Sequence, residues 1–210
     1  MMLQEYLKFL NGSNSMTVAF FDFDGTITSR DTLIDFIRFA VGEKKFLWGM
    51  CVLMPTLIAY KLKLIPNDRA KEKMLSHYFK GMEKKEFQRL ASTYSLRQIP
   101  KIVRQEALDK IDWHQKQGHK IVVVSASMEC WLKPWCEKYG LELLSTKMET
   151  VNNMVTGKFA TKNCHGKEKV NRIKEKYILD NFDIVYAYGD SYGDKELLAL
   201  ADKPFYRAFF

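Results

Sequence analysis

Four short runs, nearly all apolar, punctuate the chain: Val18-Ala19-Phe20-Phe21, Ile121-Val122-Val123-Val124, Leu141-Glu142-Leu143-Leu144-Ser145 and Ile184-Val185-Tyr186-Ala187-Tyr188. They are rich in β-branched and aromatic residues and bounded by turn formers, which predicts strands buried on both faces, as in a parallel sheet. Stretches of helical periodicity separate them. Leu33 to Ala40 is one, with Asp31 or Thr32 able to cap it. Lys101 to Gln117 sets Ile102, Val103, Ala107, Leu108 and Ile111 on one side and stops at Gly118. Glu129 to Tyr139 predicts a helix that Pro134 enters in its first turn or kinks. Cys164-His165-Gly166 opens a helix from Lys167 to Tyr177, and a short one spans Lys195 to Ala201. Thr150 to Phe159 alternates about Asn152-Asn153 and predicts a hairpin, and Phe205 to Phe209 an edge strand. Residues 1–15 end in a turn-rich linker and predict a short helix or loose arm.

From Asp31 to Ser95 there is no strand alternation, and Pro55, Pro66 and Gly81 are expected to divide the segment into several helices. This predicts two domains: an α/β core from residues 1–30 and 96–210, and a helical insert from residues 31–95 between the first two core strands. The insert holds the most apolar run of the chain, Phe46 to Tyr60, between Lys44-Lys45 and Lys61. It falls short of the roughly 20 apolar residues of a spanning helix. A core-facing helix pair is the expectation, and an element lying on a membrane surface or a transmembrane span are the other readings.

The formal net charge of +8 favours anionic ligands in general: phosphate esters, nucleic acid or an anionic membrane. Lysines alternate with glutamates in Lys71-Glu72-Lys73 and Glu83-Lys84-Lys85-Glu86, the pattern of solvated helix faces, so no nucleic-acid partner is expected. The four cysteines form no Cys-x-x-Cys pair, which indicates neither zinc nor a disulfide framework and suggests reduced thiols in a cytoplasmic protein. Glu5 and Lys8 interrupt any apolar core of a secretory signal in Met1 to Leu10.

Three of the predicted strands deliver polar groups at the same end. The first ends in Asp22-Phe23-Asp24-Gly25-Thr26, the second in Ser125-Ala126-Ser127, and the last in Gly189-Asp190-Ser191-Tyr192-Gly193-Asp194. In open α/β sheets that edge is where ligands bind. Asp22 and Asp24 repel one another unless a cation or phosphate chemistry uses them; the plain alternative is a strand end followed by an Asp-Gly turn. Asp194 could hold a metal-bound water or cap a helix, and Ser125 could bind phosphate oxygens or act as a cap.

Asp22-x-Asp24-Gly25-Thr26, Ser125, Lys169 and Gly189-Asp190-Ser191-x-x-Asp194 resemble the four motifs of the haloacid dehalogenase superfamily, nearest its phosphoserine-phosphatase-like branch, subfamily IB. The resemblance implies a three-layer Rossmann-like core with a parallel sheet and an inserted all-helical cap of the C1 type. It further implies a Mg²⁺-dependent phosphatase acting on a small phosphorylated substrate. Asp22 would be the nucleophile that becomes an aspartyl-phosphate, and Asp24 the acid and base for leaving group and water. Asp22, Asp24 through its carbonyl, Asp190 and Asp194 would serve the metal, and Ser125, Ala126, Gly25 and Thr26 the phosphate. Cys164-His165-Gly166-Lys167-Glu168-Lys169 points to Lys169 as the cation, with Lys167 in reserve. Asp31 would contact substrate as a shorter acid than that branch carries, and Ala126-Ser127 replaces its Gly-Gly. Both departures broaden the expected substrates from phosphoserine to histidinol phosphate and similar esters, or to lipid phosphates at a membrane surface.

Overall fold

The computed structural model describes residues 16–210, so the arm expected over residues 1–15 lies outside the described residues. Five strands form one sheet in the order β3-β2-β1-β6-β7: β1 (Thr17–Phe21), β2 (Lys120–Met128), β3 (Glu142–Thr146), β6 (Ile184–Gly189) and β7 (Lys203–Tyr206), every neighbour parallel. β1 lies at the centre, with Phe21 level with Val123 of β2 and Tyr188 of β6. Because side chains alternate along a strand, Ala19 and Phe21 enter one apolar cluster and Val18 and Phe20 another, so the sheet is covered on both faces. The result is a three-layer α/β fold, and every strand of the sheet points the same way.

Four helices follow β1: α1 (Thr32–Val41), α2 (Glu43–Lys61), α3 (Asn67–Phe79) and α4 (Lys84–Arg97). α1 starts where the Asp31 carboxylate accepts hydrogen bonds from the N–H groups of Leu33 and Ile34. Pro66 and Gly81 lie between helices as expected, but Pro55 does not break α2, which runs through it as a single helix. A proline removes the bond to the carbonyl four residues earlier. Here that carbonyl belongs to Cys51 on the exposed side, where water can satisfy it. The core-facing reading of the apolar run therefore holds for one side only. Phe46, Gly49 and Leu53 are buried, whereas Leu47, Trp48, Val52, Met54 and Ile58 face solvent.

Other boundaries move. α5 begins at Gln105 (Gln105–Lys116), later than expected, because a 3-10 turn over Ile99–Lys101 precedes it and Arg104 N–H is held by the Ile27 carbonyl. α6 (Glu129–Lys138) keeps Pro134 in its middle, α7 covers Lys167–Lys176, and α8 covers Lys195–Ala199 after a 3-10 turn at Tyr192–Asp194. The last strand ends at Tyr206 rather than Phe209, since Arg207 adopts a φ of 53°. The hairpin is present as β4 (Met148–Val151) and β5 (Met154–Phe159), turned by Asn152 and Asn153 at φ 49° and 63°, the left-handed pair of a tight hairpin. Its second strand meets the helical segment: Gly81 N–H donates to Val155 O and Val155 N–H to Met82 O, each at 2.9 Å.

Candidate active site

The carboxyl ends of β1 and β6 are locked together by one hydrogen bond beyond the strand, Asp22 N–H to Tyr188 O at 2.9 Å. Asp22 therefore stands beside Gly189 and Asp190. Two glycines let the loops close this tightly. A Cβ on Gly25, whose φ is +84°, would lie 2.5 Å from Asp190 Oδ2, and one on Gly189 would lie 2.5 Å from Cβ of Asp194. Asp194 is fixed by a reciprocal cap with Ser191: its Oδ2 accepts from the Ser191 N–H (3.0 Å) and hydroxyl (2.8 Å) and from the Asp190 N–H (3.2 Å). Thr26 Oγ1 lies 3.2 Å from both Asp22 Oδ2 and Asp190 Oδ1.

Lys169 enters this cluster from the first turn of α7, wholly buried. Its Nζ donates to Asp22 Oδ1 at 2.5 Å and to Asp194 Oδ1 at 2.6 Å. Asp24 looks elsewhere. Its Oδ1 accepts the Thr32 N–H at 2.7 Å and its Oδ2 the Ser127 hydroxyl at 2.5 Å. With Asp24 ionised the order of donors is fixed, because a carboxylate only accepts and an indole only donates. Trp131 Nε1–H gives to Thr32 Oγ1 (3.2 Å), Thr32 to Ser127 Oγ (2.9 Å), and Ser127 to Asp24. The two acids of Asp22-Phe23-Asp24 are thus held by separate networks.

Burial pushes the Asp22 carboxyl up to about 7, against the pull of Lys169 and with the help of Asp194. Burial and Asp194 raise Asp190 as well. Asp194 is also raised by burial, but Lys169 and Ser191 hold it below the ordinary carboxylate value. Burial pulls Lys169 down, yet Asp22 and Asp194 more than offset it, so the ammonium stays charged. Asp24 is raised by burial and by Asp31, opposed by Ser127, Thr32 and Lys71. Three carboxylates facing one ammonium leave an excess of negative charge. Oxygen atoms of Asp22, Asp190 and Asp194 lie within 4.8 Å of one another, a hard-donor set that suits a small divalent cation such as Mg²⁺.

A family model described as haloacid dehalogenase-like hydrolase matches residues 19–199, from inside β1 to the end of α8. The chain belongs to this family. Protein CicA of Caulobacter vibrioides is 32% identical to this hydrolase over 94% of the chain and 88% of its own length. The probable phosphatase Rv3661 of Mycobacterium tuberculosis is 28% identical over 87% of the chain and 65% of its own. A structure described as a phospho-aspartyl intermediate analogue of phosphoserine phosphatase shares the fold, with a TM-score of 0.64 at 16% identity over 90% of this chain and 84% of that one.

Of the expected site residues, Asp22, Thr26, Gly25, Asp190, Asp194 and Lys169 converge in this haloacid dehalogenase-like hydrolase, while Lys167 is exposed. The Asp24 carboxylate stands apart from the acidic cluster. Ser125 is buried and spends its hydroxyl oxygen on the Ser127 N–H at 3.0 Å, so the hydroxyl that touches an acid is Ser127. Asp31 is exposed and engaged as the cap of α1. The sequence names Thr32 as a cap, Ser127 at a strand end and Lys71 on a solvated face, but not their contacts in this site. Lys71, expected on a solvated face, reaches from α3 across the sheet edge to Ala126 O, with Nζ 3.4 Å away. Its neighbour Glu72 is also engaged, accepting the Phe159 N–H at 2.9 Å.

Proposed function

We propose that this hydrolase, a phosphatase of the haloacid dehalogenase-like family, is a Mg²⁺-dependent phosphomonoesterase that works through an aspartyl-phosphate on a small phosphorylated metabolite. The observation that carries this reading is the division of labour between two acids one residue apart. Asp22 shares the ammonium of Lys169 with Asp194, whereas Asp24 is steered away by Thr32 and Ser127. A nucleophile and a proton donor need such different surroundings.

In this mechanism an Asp22 carboxylate oxygen forms a bond to phosphorus as the bond from phosphorus to the ester oxygen breaks, and Asp24 gives that oxygen its proton. Asp24, now ionised, then takes a proton from a water that attacks the acyl phosphate and frees Asp22. Lys169 holds Asp22 in place and balances negative charge in both halves. A divalent cation held by Asp22 and Asp190, with Asp194 and the Asp24 carbonyl beside them, would supply charge neutralisation at the phosphoryl oxygens. In this reading Ser125, Ala126, Gly25 and Thr26 serve the phosphoryl oxygens, and Asp31 and Lys71 serve the leaving group. Phosphoserine-like esters and histidinol phosphate are the substrates to try first. The helices from residues 31–95 act as the lid of the α/β core, which among the described residues comprises 16–30 and 96–210. The four cysteines of the described residues are free thiols, which suits a cytoplasmic setting.

The test is hydrolysis of an aryl phosphate. Asp22→Asn should abolish it, and EDTA should abolish it reversibly, with Mg²⁺ restoring turnover. Undiminished hydrolysis by Asp22→Asn would overturn the proposal.

A further inference from the structure

We propose that the outer face of α2 is a docking surface for an anionic lipid bilayer. α2 has 19 residues, a length of roughly 28 Å at the helical rise. Only its inner side is used by the fold, through Phe46, Gly49 and Leu53. At 100° per residue, Leu47, Trp48, Cys51, Val52, Ile58 and Leu62 fall on the opposite side, and none is covered by the described residues. Trp48 is 71% exposed, Leu62 64% and Leu64, just past the helix, 73%. No charged residue occurs between Lys45 and Lys61. The exposed positions of the neighbouring α3 and α4 carry instead Arg69, Lys73, Lys84, Lys85 and Arg89. An apolar outer face of this length on an otherwise polar surface marks a contact surface.

The charges at its two ends choose the occupant. Lys44 and Lys45 stand at one end and Lys61 and Lys63 at the other, while the nearby acid, Glu43, is paired with Arg38 at 3.1 Å. A second copy laid face to face would set lysine against lysine whichever way the two helices ran. A bilayer with anionic headgroups meets both features, because its phosphates accept the lysines while Trp48 and Ile58 enter the boundary of the acyl region. No helix among the described residues is long and apolar enough to cross a membrane. The contact is therefore along the surface.

The experiment uses the full chain with vesicles of phosphatidylcholine alone, or of phosphatidylcholine and phosphatidylglycerol in equal parts. Co-sedimentation should require the anionic lipid, weaken as salt is added, and bring a blue shift and quencher protection of tryptophan emission. Trp131 and Trp135 report little of this, since both are buried, and the Trp113→Ser variant removes the other exposed indole from the signal. Trp48→Ser and Ile58→Ser should each lower the partition coefficient about tenfold or more, the cost of losing one apolar anchor. Lys44→Glu with Lys45→Glu should do the same. Trp113→Ser, which removes an exposed indole from α5, should leave binding unchanged, and all these variants should hydrolyse a soluble aryl phosphate as the wild type does. Any of three results would overturn the proposal. The first is equal binding to neutral vesicles. The second is a dimer in sedimentation equilibrium that Trp48→Ser disperses. The third is Trp48 emission already shielded without lipid, which would mean that the chain covers this face itself.

Discussion

The Lys169 ammonium lies 2.5 Å from Asp22 Oδ1 at the end of β1, and both groups are buried. The same nitrogen reaches Asp194 at 2.6 Å, so one side chain from α7 ties the loops after β1 and β6 to a common point. Such an arrangement is stable only while the charge is present, because removing one partner of a buried ion pair leaves the other uncompensated. Lys169→Ala should lower kcat for an aryl phosphate by about a hundredfold to a thousandfold, the usual loss for one stabilising donor in a water-poor site. It should also lower the melting temperature, with part of the loss recovered when Mg²⁺ is added. Lys167→Ala, at an exposed position two residues earlier, should do neither. Steady-state kinetics and thermal melts of the two variants check this, and the reverse order would reassign the cation.

The relay from Trp131 through Thr32 and Ser127 to Asp24 gives a prediction with a defined sign. The Ser127 hydroxyl donates to Asp24 and so favours its ionised form. Ser127→Ala removes that donor, and the Asp24 carboxyl must move further up. If protonated Asp24 delivers the leaving-group proton, the alkaline limb of the kcat/KM profile shifts to higher pH, and kcat falls by about tenfold to a hundredfold as a charged hydrogen bond is lost. Asp24→Asn should remove the limb altogether. A Ser127→Ala profile with an unmoved limb would leave the relay a packing device only.

Lys71 carries the expectation for substrate selection. It projects from α3, near enough to Asp24 and His165 to act on both electrostatically, and its nitrogen rests against Ala126 O. In the proposed mechanism this cation meets the leaving group rather than the transferred phosphoryl. Lys71→Ala should therefore raise KM about tenfold for esters whose leaving group carries a carboxylate or second phosphate, and change kcat little. A neutral aryl phosphate should show almost no effect. Comparing the two substrate classes in one variant separates recognition from general electrostatic damage.

Apart from Lys169, the parts of this site that are legible in the sequence share one property: each lies at the end of a short apolar run that forms a strand. A parallel strand buried on both faces has an almost continuous hydrophobic sequence, so Asp22, Ser125 and Asp190 announce themselves as the first strongly polar groups after the apolar run. Lys169 was readable through the motif at the start of α7. Thr32 and Lys71 have no such marker, and Ser127, although it stands at the same strand end as Ser125, carries no sign of its partner, since these roles arise from contacts with residues 8, 55 and 103 positions away in the chain. Pro55 misled for a related reason. Whether a proline ends a helix depends on whether the freed carbonyl can find water, which is a property of the side of the helix it occupies and not of the local sequence.

His114 gives the last prediction, and it concerns stability. It is buried beneath the sheet, with Nδ1 2.8 Å from His119 Nδ1 and Nε2 3.0 Å from the Tyr188 hydroxyl, two residues before Asp190. Burial, together with the nearby His119 and Lys110, lowers it from 6.5 to about 3. The unfolded chain then binds a proton between pH 6.5 and 3 that the folded chain refuses. Stability must fall as pH drops through that window, by at most about 1.4 kcal/mol per unit for one such group. Asp22 acts in the opposite sense: its folded value near 7 lies above 3.8, so the folded chain takes up a proton over the same range and gains stability as pH falls. The two effects are separable. In an Asp22→Asn background the largest opposing carboxyl is gone and the His114 contribution is read by difference: adding His114→Gln should make the melting temperature fall less steeply as pH drops between about 6.5 and 4.5. Parallel slopes with and without His114→Gln would show that the buried imidazole accepts its proton without cost, and the pair with His119 would then have to share the charge.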